Sequence, residues 1–226
     1  MTHRQLTFDL PVREARGLAD FFVSPANETA LAAIEGWEDW PFGKLVLTGP
    51  QGAGKTHLAH VWATLSGAEV LPAFDLRESD VPALSDARAI ALEDMDRGPL
   101  DERAIFHLHN MLAERGRALL MTARVPPRDW NLQLPDLFSR VSAATVVSVS
   151  APDDALLQAV LIKQFTDRQL SVSPDLIGWL LRRIDRSFDA ARRAVETLDA
   201  AALAEGRPVT RAFAARLLDN LTEDRA

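Results

Sequence analysis

Hydrophobic positions along the chain follow two spacings. Lys44–Thr48 (KLVLT) is a short aliphatic and β-branched run that stops at Gly49-Pro50, and it predicts a buried strand. Ala68–Ala73, Arg88–Leu92, Ala118–Thr122 and Thr145–Val149 predict four more. Between them, Asn27–Ala33 has helical spacing, and Trp37–Gly43, with Pro41 and Gly43, predicts a loop. Lys55–Ser66 predicts a helix with Gly67 as its stop. Glu102–Arg115 predicts another, with Ile105, Leu108, Met111 and Leu112 as its apolar residues and Gly116 closing it. Strands alternating with helices predict a parallel sheet covered on both faces.

The pattern changes after Pro152. Asp153–Leu170, Ser173–Ile184, Ser187–Glu205 and Thr210–Leu221 all read as helices, and Ser173-Pro174, Ser187 and Thr210 carry capping signals. The expected layout is therefore a flexible tail over residues 1–12, an α/β domain over 13–150 and a small all-helical lid domain over 151–226.

Composition narrows the function classes. A net charge of −7 argues against bulk binding of phosphate backbones, which needs a basic face. With no cysteine, disulfides, thiolate catalysis, iron–sulfur clusters and cysteine-ligated zinc are excluded. No apolar run reaches the roughly 18 residues a bilayer requires, and the N-terminus lacks the apolar segment of a secretory signal. The expectation is a cytoplasmic protein with no membrane partner.

One motif carries strong chemistry. Gly49-Pro50-Gln51-Gly52-Ala53-Gly54-Lys55-Thr56 fits G-x-x-x-x-G-K-[ST] between a predicted strand and a predicted helix. Glycines in such a loop let successive N–H groups point at phosphate oxygens, and the helix N-terminus adds its positive end. Lys55 then reaches the β- and γ-phosphates, and the Thr56 hydroxyl ligates Mg²⁺. The strand Ala89–Leu92 ends in Glu93-Asp94, the acidic partner such a loop requires: Glu93 for the Mg²⁺ water shell, Asp94 for the attacking water. Asp96 and Asp101 read as solvated turn charges, and His57, His60, His107 and His109 as surface or packing residues, since none has the pairing of a zinc helix.

This combination resembles the AAA+ ATPases. Thr122, ending a central strand, lies where that family has its first sensor. The prolines Pro126-Pro127, the stretch Leu134-Pro-Asp-Leu137-Phe-Ser139-Arg140-Val141 and the lead-in Asp20-Phe-Phe22-Val23-Ser-Pro-Ala-Asn27 are similar to the initiator branch, the DnaA type, over about residues 18 to 220. Within it the chain most resembles the DnaA-related regulatory inactivators in their alphaproteobacterial form. It ends after the lid, leaving no room for a helix-turn-helix domain. The stretch from Thr56 to Glu93 is short, and Gln5-Leu6-Thr7-Phe8-Asp9-Leu10 looks like the peptide that docks on the bacterial sliding clamp. An extended segment with Leu6, Phe8 and Leu10 at alternate positions offers one row of apolar side chains, and Gln5 a hydrogen bond at its edge.

The resemblance implies a P-loop parallel sheet and a helical lid. It also implies ADP or ATP with Mg²⁺ as ligands, held by Gly49–Thr56 with His57 and by Phe22 and Val23 near the base. Arg140 is implied as an arginine finger acting in trans on ATP bound to DnaA, a device worth on the order of 10³–10⁵ in rate. The second sensor is less regular. Its place falls on Asp189, with Arg186, Arg192 and Arg193 as alternatives, so a resident diphosphate and at most weak intrinsic ATPase activity are expected. The implied function is regulation of replication initiation, with DnaA and the β-subunit sliding clamp of DNA polymerase III as partners. DNA would be reached only through the clamp, and a homo-oligomer is possible. An ATP-hydrolysing loader or remodeller of the same branch is the alternative; a P-loop kinase lacks any acceptor-binding signature here.

Overall fold

The computed structural model describes residues 13–14 and 22–223. They form two compact units, one of residues 25–151 and one joining the residues up to Ser24 with those from Pro152 onward. In the second, β1 (Arg13–Glu14) pairs antiparallel with β2 (Phe22–Val23).

The larger unit runs α1 (Glu28–Glu35), β3 (Lys44–Thr48), α2 (Lys55–Ser66), β4 (Glu69–Pro72), β5 (Ala89–Glu93), α3 (Glu102–Glu114), β6 (Ala118–Ala123), α4 (Pro135–Ser142) and β7 (Thr145–Ser148). The five strands form one parallel sheet in the order β4-β5-β6-β3-β7. Every residue of the central strands β3 and β6 is buried, as expected of strands covered on both faces. On one face the core gathers Ile90, Leu92, Ile105, Leu108, Met121 and Leu137. Elsewhere Trp62 is fully buried, stacked on Trp40 at 5.1 Å and met edge-on by Trp37 at 6.2 Å.

The predicted elements are present, β3 and α2 with the same ends and the others shifted by at most three residues. Gly67 stops α2 in the left-handed conformation and donates its N–H to Ala63. The expected loop at residues 37–43 is two short 3₁₀ turns, Trp37–Asp39 and Pro41–Gly43, clamped by the Trp40 Nε1 bond to the Ala33 carbonyl. Helix α4 has no counterpart in the periodicity reading. Its eight residues bury only Leu137 and Val141, one i, i+4 pair, too little repeat to stand out.

In the helical unit, α5 (Asp154–Asp167), α6 (Pro174–Leu181), α7 (Phe188–Glu205) and α8 (Arg211–Glu223) surround Leu161, Phe165, Trp179, Leu198 and Phe213. The Ser173, Ser187 and Thr210 hydroxyls accept the N–H groups of Leu176, Ala190 and Phe213, the caps the sequence called for. No helix of the described residues is long and apolar enough to cross a membrane.

One close approach fixes how β3 runs into the loop after it. The Val149 N–H donates to the Thr48 carbonyl at 2.7 Å, and a Cβ on Gly49 would lie 2.1 Å from the Val149 carbonyl oxygen. Gly49→Ala therefore forces these backbones apart. The expected result is a loss of at least about 2 kcal/mol of unfolding free energy, read from the denaturant midpoint; an unchanged midpoint contradicts this packing.

Candidate functional site

The parallel register brings three segments to the carboxyl edge of the sheet. Thr48 pairs with Ala123 and Leu92 with Met121, so the residues beyond them, Gly49–Thr56, Glu93–Asp96 and Thr122–Arg124, emerge side by side. Such an edge is where open α/β sheets bind ligands. Gly52 and Gly54 hold positive φ of 75° and 95°, the turn that swings the loop into α2. No side chain caps α2. Its first turn therefore presents backbone donors and the positive end of the helix dipole.

Lys55 is 7% exposed, and its Nζ donates to the Gly49 and Pro50 carbonyls at 2.7 and 3.0 Å. Burial lowers its pKa; Asp94 and Asp96 oppose that, Arg124 adds to it, and Glu93 opposes it more weakly. Ala53 is buried beneath the loop, whereas Thr56 and His57 are exposed on the first turn of α2.

The acidic segment is bound to β6. The Asp94 N–H donates to Thr122 Oγ1 at 3.1 Å and the Met95 N–H to the Thr122 carbonyl at 2.9 Å. Thr122 is 1% exposed, so this fastening is dry. Asp94 takes a φ of 58°, uncommon for a residue with a side chain, and its carboxylate meets Arg97 at 3.4 Å. One Glu93 carboxylate oxygen is buried with no partner among the described residues.

Asp96 corrects the sequence reading. Its side chain is 7% exposed, and Oδ2 accepts the Arg124 backbone N–H at 3.1 Å and Nε at 3.2 Å. Its Oδ1 is buried and has no partner among the described residues. Asp101 is no free turn charge either: it caps α3 by accepting the Ala104 N–H and also receives that of Glu78. Asp96 and Arg124 lie 28 residues apart, so only the strand pairing reveals them as a unit.

Arg140 stands elsewhere. Exposed on α4, it lines a cavity of 430 Å³ with Phe42, Lys44, Phe106, Asp136, Ser139 and Ala143. Lys44 begins β3, so this cavity opens at the end of the strand opposite the Gly-rich loop. Four steps of about 3.3 Å separate the two ends of that strand, which puts Arg140 out of reach of its own loop. Lys44 is 7% exposed, and its pKa is lowered by burial and then by Arg140. Among the described residues neither cation forms a salt bridge. Phe42 extends beside them, 78% exposed, at a φ of 56°.

The remaining sequence candidates fall apart from these two places. Phe22 and Val23 form β2 in the helical unit. There Asp189 pairs with Arg192 at 3.5 Å and Arg186 with Asp154 at 3.0 Å. Gln5, Leu6, Phe8 and Leu10 lie outside the described residues. His57, His60 and His107 are exposed and His109 is buried, and no group of three or more metal-ligating side chains occurs among the described residues.

No family model matches the chain. Among solved structures, domain III of the Thermotoga maritima replication initiation protein DnaA superposes with a TM-score of 0.74 at 17% identity, covering 88% of this chain and 94% of that one. AMPPCP-bound DnaA from Aquifex aeolicus gives 0.66 at 16% identity, with 80% of this chain covered and 64% of that longer chain. A mutant RuvB from Thermotoga maritima gives 0.68 at 15% identity, over 87% of this chain and 68% of that one. This is a DnaA-like AAA+ fold.

In this α/β unit His109 is 2% exposed, and burial, then Lys44, push its pKa down from 6.5 to about 4. Its Nδ1 faces the Asn110 Oδ1 at 3.3 Å, a bond that opposes the shift only in part, and Arg140 pushes the same way as Lys44. Between those pH values the unfolded chain binds a proton that the folded chain refuses. Stability from this site is complete above pH 6.5 and is lost as pH falls toward 4, by about 3 kcal/mol at full extent. Urea midpoints between pH 7 and 4.5 should fall less steeply for His109→Gln than for the unchanged chain; parallel slopes contradict the assignment.

Proposed function

We propose that the chain is a regulator of replication initiation, a DnaA-related inactivator of the Hda type. In this reading it binds an adenine nucleotide at Gly49–Thr56, docks on the sliding clamp through Gln5–Leu10, and presents Arg140 to ATP bound on DnaA. The observation that carries the trans role is the place of Arg140, unpaired with any carboxylate among the described residues and at the end of β3 opposite its own loop. An exposed guanidinium there has no phosphate of its own to stabilise, whereas one on a neighbouring molecule is within its chemistry.

Adenine nucleotide as ligand is supported by the AMPPCP held by the DnaA structures of the same fold, two of which carry it. The residues present fit it. The glycine turn and uncapped helix supply donors for phosphate oxygens, and Lys55, held now by two carbonyls, is free to exchange them for a phosphate. The partnerless oxygen of Glu93 and the exposed Thr56 hydroxyl suit a hydrated Mg²⁺, which when bound would neutralise phosphate charge. Asp94, turned by its bond to Thr122 and drawn by Arg97, is the carboxylate available to orient a water; its half-engagement agrees with weak intrinsic turnover.

The test is reconstituted hydrolysis of DnaA-bound ATP in the presence of DNA-loaded clamp. The chain should accelerate it, and Arg140→Ala should reduce that acceleration by at least about a hundredfold while leaving nucleotide binding by this chain intact. Replacing Gln5, Leu6 and Phe8 with alanine should abolish clamp capture and the clamp-dependent part of the stimulation. Equal stimulation by Arg140→Ala overturns the finger; clamp capture that survives the tail changes overturns the docking segment.

A further inference from the structure

The first residue of β3 breaks the rule that the rest of the strand obeys. Lys44–Thr48 lies inside the sheet and is buried throughout, yet it begins with a lysine that is 7% exposed. Lysine is almost never buried this far without a paired charge. Among the described residues the Lys44 ammonium group enters neither a salt bridge nor a hydrogen bond. Its Nζ lies 6.0 Å from the centre of the exposed Phe42 ring, at the outer limit of a cation–π contact.

The fold answers this cation with a second cation. Arg140 lines the same cavity, and its field weighs on Lys44 while both weigh on His109. Ser139 and Asp136 line the cavity as well, and Asp136 pairs with neither cation among the described residues. At 430 Å³ the space falls in the range of small-ligand clefts, roughly 300–1,000 Å³. Two like charges held together without a counter-charge oppose folding, and local rules are broken in this way where a chain binds something. An oxyanion with more than one negative charge resolves the conflict, since a single charge answers only one of the cations. A guanidinium fork beside an ammonium point charge suits a phosphate group.

We propose that Lys44 and Arg140 together form a two-cation phosphate site at the amino end of β3. Arg140 grips two oxygens of one phosphate group and Lys44 balances the remaining charge. The inference deepens, and rests on, the reading of Arg140 as a residue that faces a partner's nucleotide. It adds a cation that no motif around Arg140 includes, because Lys44 and Arg140 meet only in the fold.

The test is titration of the full chain with inorganic pyrophosphate, followed by NMR through two histidine rings. His109 reports the Lys44 end of β3, and His57, on the first turn of α2, reports the phosphate-loop end. Pyrophosphate should shift the His109 ring saturably. Lys44→Met, which keeps the buried stem, should weaken that binding about tenfold, the usual worth of a charge-assisted contact, and Lys44→Arg should restore most of it. Lys44→Met should also raise the urea midpoint, because it removes a buried cation without a partner; a lower midpoint contradicts that premise. A His109 response unchanged by Lys44→Met, or a shift at His57 alone, overturns the two-cation site. Hydrolysis of DnaA-bound ATP then tells where the phosphate comes from. Stimulation lost with Lys44→Met assigns a phosphate carried by the partner, whereas stimulation kept while pyrophosphate binding is lost assigns a free phosphate compound. Stimulation that survives Arg140→Ala overturns the partner as the source, independently of the pyrophosphate result.

Discussion

Everything at the functional edge of the sheet depends on one buried charge. Lys55 brings an ammonium group into a site where it is 7% exposed, and a cation removed from water is costly unless anions or dipoles replace the lost solvent. Two loop carbonyls and the field of three carboxylates supply the replacement. The carboxylates are there because β5 ends beside β6, and the carbonyls because Gly49 can approach the Val149 backbone without a side chain. Strand order, glycine placement and acidic strand ends thus together supply the groups that surround that ammonium.

The opposite end of β3 solves no such problem. Lys44 and Arg140 stand together without a carboxylate partner among the described residues, and their field adds to burial in lowering the pKa of the nearby His109. Two cations that repel each other beside an exposed Phe42 in a left-handed backbone conformation do not stabilise one another. In the proposed reading they form a surface kept ready for an anionic partner. On that reading the two ends of one strand each face an anion, one the chain's own ligand and one a partner's.

How much of this was legible in the sequence follows from how local each signal is. The loop Gly49–Thr56 is contiguous, and its strand-loop-helix setting is written in the apolar runs on either side. The serine and threonine caps were equally local. Asp96 was misread because its neighbours Arg97 and Gly98 spell a turn, and nothing within reach along the chain reveals that Arg124 will bury it. The same limit hid the Asp94–Thr122 bond, although both residues had been singled out separately. Helix α4 was missed for want of periodicity, although Arg140 on it was singled out, because the resemblance to initiators is carried by identities rather than by pattern.

The central claim is that the carboxyl edge of this sheet is a nucleotide phosphate site organised around Lys55. Calorimetric titration of ADP with Mg²⁺ into the unchanged chain and into Lys55→Ala tests it directly. The account predicts saturable one-to-one binding by the unchanged chain and a loss of at least about tenfold in affinity on removing the ammonium group, with thermal stability retained. Equal affinity in both proteins contradicts it.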